Sequence, residues 1–258
     1  MIKKLIRNIV RILNKKLKGM HKFGQTPQSL KIPFNKQRES FQNIAQIIDH
    51  TMLKADTSGK DLDRLCKEAR KYHFKTVCVN GYNLPFVAKK LRGSKVLPIT
   101  VVGFPLGAMT TEAKAFETKD AVKNGAKEID MVINIGALKS KSYRLVLNDI
   151  KKIVETAKPY PVKVIIETAL LTAEEKIIAS LLCMAAKASF VKTSTGFSTG
   201  GAKEEDLILI RNVVGGKLEI KASGGIKTYE DTLKMIRAGA DRIGSSASVA
   251  IVKAAGKK

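Results

Sequence analysis

The chain contains no tryptophan, and aromatic residues make up only 5% of its 258 positions. Proteins that grip single-stranded nucleic acid interleave aromatic platforms with basic residues, and no such stripe is present here. Cysteine is equally scarce. Cys66, Cys78 and Cys183 are scattered, odd in number and without a Cys-x-x-Cys pair. That excludes a disulfide framework and a zinc ribbon, and it suits reduced thiols in a cytoplasmic protein. The three histidines, His21, His50 and His73, lack the spacing of metal ligands. No run of 18 apolar residues occurs, so nothing in the sequence reads as a membrane span. A Gly-x-Gly-x-x-Gly after the first strand is also missing, which argues against a doubly wound dinucleotide fold.

Acidic residues are the last shortage. Lysine and arginine total 47 against 23 aspartates and glutamates, a formal charge of +24. The imbalance is concentrated at one end. Residues 1–38 carry 11 basic residues and no acid, and removing them leaves +13 on the other 220. Such a field favours anionic substrates and attracts nucleic acid without specificity. No specific nucleic-acid partner follows from it.

Within residues 1–18, Ile2, Leu5, Ile6, Ile9, Val10, Leu13 and Leu17 recur at helical spacing between lysines and arginines. The pattern predicts a basic amphipathic helix. Two readings compete for it: a peripheral contact with a membrane surface or a protein, and an appended helix covering part of the body. Targeting is a weaker third, since the segment has no serine and no secretory cleavage pattern. Gly19, Gly24, Pro27 and Pro33 among polar residues mark 19–38 as a linker. The chain therefore divides into 1–38, a basic helix and linker, and 39–258.

From residue 39 onward, apolar runs and helical patterns alternate strictly. Strands are expected at 44–49 (after a short helix), 76–80, 96–103, 128–134, 162–166, 190–193, 218–222 and 241–244. Helices are expected at 58–72, 84–91, 110–123, 141–157, 172–187, 203–213, 228–238 and 246–254. Thr172 with Glu175 forms a capping-box signature. Several strands are apolar on both faces, as in a sheet covered by helices. Eight βα units in about 220 residues is the measure of a (β/α)8 barrel.

In such a barrel the working residues lie at the C-terminal ends of the strands. Those positions hold Asp49, His50, Thr51, Cys78, Asn80, Asp130, Asn134, Glu167, Thr168, Lys192 and Lys221, then Gly244, Ser245 and Ser246. Lys192 and Lys221 each end a buried apolar strand, where a lysine is rare unless compensated. A lysine attacks a carbonyl only as the free amine, and burial or a second cation lowers its pKa toward that form. One of the pair is then a Schiff-base nucleophile and the other its tuner; the residues alone do not say which. Two lysines binding phosphate, or pairing with Asp130 and Glu167, would satisfy the same pattern. Asp130 interrupts an apolar strand and is placed to relay protons through water. Gly196, Gly224, Gly225, Gly244, Ser245 and Ser246 fall where barrels bind phosphate, with backbone N–H groups open to an anion. Phe104 and Leu106, in the Gly103–Phe104–Pro105–Leu106–Gly107 loop, are placed to line the pocket. Cys78, His50 and His73 read as packing residues.

Seven stretches resemble the deoxyribose-phosphate aldolases, class I aldolases and lyases of the (β/α)8 type. They are Ile48–Asp49–His50–Thr51, the 102–107 loop, the 128–136 strand, Lys163 to Thr168, Phe190 to Phe197, Lys221 to Ile226 and Arg242 to Ser246. They run in order through residues 44–250. The resemblance implies that Lys192 forms the Schiff base with acetaldehyde, that Lys221 depresses its pKa and that Asp130 relays protons. It places Gly225, Gly244 and Ser245 on the phosphate, while Thr51 and Asn80, by their places at strand ends, join the substrate-binding candidates. It also implies a phosphorylated sugar substrate, no metal or organic cofactor, a homodimer and a cytoplasmic location. A phosphate-binding Schiff-base aldolase of other donor or sugar specificity is the alternative. Three departures stand out: the 1–38 extension, Ala186–Lys187–Ala188–Ser189 in place of an Ala-Gly-Ala-Asp-type turn, and the absence of the C-terminal tyrosine that assists proton transfer in some relatives. The last implies reliance on water and Asp130, or a slower reaction.

Overall fold

Eight parallel strands close into a barrel in chain order, and β8 is hydrogen-bonded back to β1. The strands are β1 (Ile48–Met52), β2 (Thr76–Val79), β3 (Leu97–Val102), β4 (Ile129–Val132), β5 (Val162–Ile165), β6 (Phe190–Lys192), β7 (Glu219–Ser223) and β8 (Arg242–Ser245). The computed structural model describes residues 2–24 and 44–256. The short helix expected just before residue 44 and linker residues 25–38 lie outside them. Ten helices are present among the described residues: α1 (Ile2–Lys16), α2 (Gly59–Tyr72), α3 (Leu84–Lys90), α4 (Thr111–Lys123), α5 (Ile135–Lys139), α6 (Tyr143–Ala157), α7 (Ala173–Ala185), α8 (Glu204–Val214), α9 (Tyr229–Arg237) and α10 (Ser248–Ala255).

Local chemistry accounts for most helix starts. Ser58 with Asp61, Thr172 with Glu175 and Thr228 with Asp231 form reciprocal capping boxes on α2, α7 and α9. Each satisfies otherwise orphaned backbone N–H groups. The Lys187 departure is absorbed where α7 ends. Lys187 takes a left-handed φ of 59°, the conformation a glycine would adopt there, at a cost of about 1–2 kcal/mol. β6 follows in register, so Lys192 keeps its place.

Two elements differ from expectation. Ile44–Ile47 is a 3-10 turn, and β1 begins at Ile48. A short run of Ile44, Ala45, Ile47 and Ile48 broken only by Gln46 fits a helical turn as well as a strand, so it does not mark where extension begins. Its register is set instead by pairing of Asp49 with Thr76 on β2. Residues 133–134 leave β4 early, because Asn134 caps the short α5 by accepting from Ala137 N at 2.9 Å. Asn134 therefore caps the start of a helix and is not part of the interior ring.

The packed hydrophobic residues form two separate sets. The larger fills the annulus between strands and helices. A small one, Leu53, Cys78, Ile99 and Val101, lies by itself along β1 to β3. Much of the remaining barrel interior is charged, with Phe190 packed among the charged groups.

α1 docks on α7. Ile6, Ile9, Val10 and Leu13 are buried there, each worth roughly 1.5–3 kcal/mol of apolar burial before the cost of ordering the helix. Arg144 on α6 donates to the carbonyls of Lys16 at 3.1 Å and Lys18 at 3.4 Å. Asn14 and the Phe23 backbone exchange hydrogen bonds at 3.1 and 2.7 Å. Most of the apolar stripe of the helix is thus spent on the barrel, while Ile2, Leu5 and Ile12 stay exposed together with Lys4, Arg11 and Lys15. No helix among the described residues is long and apolar enough to cross a membrane.

Candidate active site

Alternation along each strand decides which side chains enter the barrel. On β1, Asp49 points inward, whereas His50 turns outward and its Nε2 lies 3.0 Å from Glu68 Oε2 on α2. Inward positions on the other strands deliver Cys78, Asp130, Lys163, Lys192, Lys221 and Arg242, joined by Glu128 just ahead of β4. All are buried.

These residues form one ionic network. Asp130 Oδ2 accepts from both Lys192 Nζ at 2.8 Å and Lys221 Nζ at 2.7 Å. Its Oδ1 accepts from Lys163 Nζ at 2.8 Å. Lys221 has a second carboxylate, Asp49 Oδ2, at 2.5 Å. Lys163 pairs as well with Glu128. Arg242 spans Asp49 Oδ1 at 2.8 Å and Glu128 Oε2 at 3.2 Å. Every one of these cations except Lys192 therefore touches at least two carboxylates, Lys163 reaching a third in Asp49 at 3.9 Å, and Lys192 touches a single oxygen that it shares.

The titration behaviour follows from that inequality. Burial, reinforced by the Lys221 ammonium, lowers the Lys192 amine below its ordinary value, and Asp130 opposes without reversing it. Burial would also lower Lys221, but Asp130 and Asp49 raise it instead. Lys163 is raised in the same way, by Asp130, Asp49 and Glu128 against burial. Burial alone would raise the Asp130 carboxyl; Lys163, Lys192 and Lys221 outweigh it and hold the group well below the carboxylate range. Cys78 is pushed up to about 11 by burial and then by Asp130, so it is a neutral thiol.

Above the network a cavity of about 300 Å³ opens at the C-terminal ends of the strands. Lys192 reaches it from below. Thr51, Gly196, Gly224, Gly225, Gly244, Ser245 and Ser246 line it, with Thr195, Phe197, Ser223 and Lys227. Gly196, Gly224 and Gly225 have φ of +83°, +85° and +79°, where a side chain would be strained. Gly201 packs onto the Gly224 carbonyl so closely that a Cβ would lie 2.3 Å from its oxygen.

The model of the DeoC/LacD family aldolases matches residues 43–254. The chain belongs to this family. It is 56% identical over 211 residues to the deoxyribose-phosphate aldolase of Macrococcus caseolyticus, covering 82% of this chain and 96% of that one. It is likewise 56% identical over 211 residues to the deoxyribose-phosphate aldolase of Clostridium tetani, covering 81% and 98%. Among solved structures, a candidate deoxyribose-phosphate aldolase of Coccidioides immitis superposes with a TM-score of 0.84 at 38% identity, covering 97% of this chain and 98% of that one. The tetrameric deoxyribose phosphate aldolase of Aeropyrum pernix gives 0.79 at 28% identity, covering 88% and 99%.

In this DeoC/LacD chain, the expected residues divide into two groups. Lys192, Lys221 and Asp130 meet at one oxygen, and the glycine and serine loops share one cavity with Thr51. Asn80 is placed otherwise: its Nδ2 donates to the Leu53 carbonyl at 3.1 Å, and it does not line the cavity. Glu167 meets no lysine. Its Oε2 accepts from Thr195 N at 3.1 Å and from the Thr195 hydroxyl, which anchors the loop after β6. Gly244 serves space as well as any anion, since a Cβ there would lie 2.9 Å from Lys221 Cε. Phe104 packs edge-on against Phe197 at 5.2 Å, while Leu106 is exposed.

Reasoning from sequence did not single out Lys163, Glu128 or Arg242. Lys163 carried the same signal as Lys192, a lysine inside an apolar strand. Among the described residues no group of three or more His, Cys, Asp or Glu is placed to hold a metal ion; the three interior carboxylates are each occupied by cations.

Proposed function

We propose that the chain cleaves 2-deoxy-D-ribose 5-phosphate reversibly to D-glyceraldehyde 3-phosphate and acetaldehyde, with Lys192 as the Schiff-base nucleophile, Lys221 as its electrostatic tuner and Asp130 as the proton relay. The observation that carries this reading is the unequal sharing of Asp130 Oδ2: Lys221 has a second carboxylate and Lys192 has none. Lys192 is therefore the interior cation that yields its proton most readily, and it alone of the four lines the cavity.

The Lys192 amine adds to the C1 aldehyde of the open-chain sugar, and loss of water from the carbinolamine gives an iminium ion. As the C2–C3 bond breaks, its electron pair flows toward the iminium nitrogen to give an enamine. The proton of the C3 hydroxyl leaves through water toward Asp130, and glyceraldehyde 3-phosphate departs. Protonation of the enamine carbon and hydrolysis then release acetaldehyde and restore the amine. Asp130, kept ionised by the lysines at both of its oxygens, serves as the acceptor through which a proton passes between Lys192 and water without being retained. Lys221 stays charged throughout and keeps the neighbouring amine from holding its proton. Gly196, Gly224, Gly225, Gly244, Ser245 and Ser246 bind the phosphate, the glycines by letting backbone N–H groups approach an anion.

Acetaldehyde with borohydride should trap one covalent adduct, and peptide mass mapping should place it on Lys192. Absence of an adduct there in folded protein would sink the mechanism. Turnover of deoxyribose 5-phosphate well above that of ribose 5-phosphate separates this substrate from the alternative sugar specificity.

The family resemblance also leads us to a cytoplasmic homodimer, a state that three buried, unpaired cysteines suit. Sedimentation equilibrium giving only the monomer mass would rule the dimer out, and cell fractionation would test the location. For α1 we infer a peripheral contact between its outward basic face, Lys4, Arg11 and Lys15, and an anionic membrane surface. Each basic residue near such a surface contributes about 1 kcal/mol. The expected result is co-sedimentation with anionic but not zwitterionic vesicles, lost on changing all three to glutamate with aldolase activity retained. Binding that survives the triple change would refute the contact.

A further inference from the structure

Arg242 and Glu128 lie at the end of the barrel interior opposite the cavity, where β8 begins and β4 is about to begin. Both are buried, and neither lines the cavity. Arg242 lies over the Phe190 ring at 5.4 Å, and Lys163 Nζ lies 5.6 Å from the same ring centroid. The pair is connected to Lys192 through two ionic routes. One runs from Arg242 to Asp49, Lys221 and Asp130 Oδ2. The other runs from Glu128 to Lys163 and Asp130 Oδ1.

The titratable groups around Lys192 come from every strand that supplies one. Asp130 faces it from β4, Lys221 from β7 and the Cys78 thiol from β2. Asp49 on β1, Lys163 on β5, Glu128 ahead of β4 and Arg242 on β8 complete the buried network, Glu219 at the start of β7 faces Arg242 and Glu128 from its exposed rim, and β3 offers Ile99 and Val101. Arg242, Lys163, Lys192 and Lys221 thus share three carboxylates, and the shortfall is one negative charge.

We propose that Arg242 and Glu128 are positioning residues that govern the protonation of Lys192 by fixing how much of Asp130 is left for it. Arg242 occupies Asp49 and Glu128. Without it, Lys221 and Lys163 can draw more fully on those two carboxylates and relax their hold on Asp130, which then stabilises Lys192 as an ammonium. Glu128 acts with the opposite sign. Without its charge, Lys163 leans more heavily on Asp130, with Asp49 only at 3.9 Å, and the interior gains one more uncompensated cation. The nucleophile is tuned by the charge balance of the whole interior, of which Lys221 is the nearest member.

This inference rests on Lys192 being the Schiff-base residue, and the test separates the two. The rate of borohydride-trapped acetaldehyde adduct formation at Lys192 is measured against pH in the full chain, in Arg242→Met, in Glu128→Gln and in the double variant. Failure to label Lys192 in the unaltered chain would defeat the functional reading itself. Given labelling, the midpoint of the acid limb should move up by about one pH unit in Arg242→Met and down by about one unit in Glu128→Gln, the size expected of a unit charge on the order of 10 Å away at an effective dielectric near 20. Below the midpoint that is roughly tenfold slower and tenfold faster labelling, respectively. The double variant, which restores the excess of one cation, should return to the parent midpoint. A merely structural pair would lower yield or melting temperature and leave the midpoint in place. Unmoved midpoints, or shifts of the same sign in both single variants, overturn the proposal. If Arg242→Met does not fold, the near-isosteric Glu128→Gln decides by itself: a downward shift supports the proposal and an unmoved midpoint ends it.

Discussion

Lys192→Leu is expected to lower kcat/KM for deoxyribose 5-phosphate by more than about 10³-fold, since it removes the proposed Schiff-base amine and leaves Lys221, which two carboxylates keep protonated. The loss should appear in kcat, with substrate still held by the glycine and serine loops. It should not come from unfolding. Lys192 is the cation with the fewest carboxylate contacts in a network that holds one cation too many. Replacing it with an apolar side chain of similar girth removes a buried charge whose desolvation is poorly repaid. The variant should therefore melt no lower than the parent, and a calorimetric scan alongside the assay checks both halves. Retained cleavage in Lys192→Leu would overturn the assignment.

Asp130→Asn should have the second largest effect, and it should act on activity and stability together. Removing the proposed relay is expected to slow turnover about 10²- to 10⁴-fold, the usual range for general acid–base catalysis. The same change strips the charge from both oxygens that hold Lys163, Lys192 and Lys221. Leaving buried charge uncompensated costs roughly 3–5 kcal/mol, so the melting temperature should fall at neutral pH. The sign of its pH dependence follows from linkage. A lysine whose folded pKa lies below its unfolded value binds fewer protons when folded, so stability rises with pH until the unfolded value near 10.4 is reached. The deficit of Asp130→Asn should therefore shrink between neutral pH and about 10 as an interior lysine releases its proton. On the acid side, Asp49 and Asp130 are both held low in the parent by their cations, against burial. Their contribution is complete above the unfolded value near 4 and is lost as pH falls through the lowered folded values. The variant should lose Asp130's share of that acid dependence. Melting curves across pH test this directly, and a deficit independent of pH would contradict the ionic account.

The network also explains why some candidate positions were readable in the chain and others were not. Lys192, Lys221 and Asp130 announced themselves because a charged residue inside an apolar strand is costly unless compensated, and that signal is local. Lys163 sends the same signal from β5. Its partner Glu128, and Arg242 beyond that, sit at strand beginnings, where a charged residue looks like an ordinary solvated end. His50, Asn80, Asn134 and Glu167 were polar residues near strand ends whose direction the sequence did not reveal. Strand alternation turned His50 toward α2, and a short helix claimed Asn134. Loop hydrogen bonds engaged Asn80 and Glu167. A strand boundary displaced by a few residues, as at β1, is enough to change which side chains face inward, because the side-chain period is two.

The amphipathic pattern at the N-terminus was similarly clear as a helix and silent about its partner. A hydrophobic stripe must be covered, but its periodicity does not say by what. The body supplies α7 and the Arg144 contacts to the helix end.

By itself, then, the sequence determined the eight alternating βα units, the family and the pair of anomalous lysines with their aspartate, because burial and periodicity are written in residue order. Only the tertiary structure distinguished the two lysines on physical grounds. Their acidity depends on how many carboxylate oxygens each can reach across a closed barrel, and those oxygens come from β1 and β4, strands far from β6 and β7 along the chain.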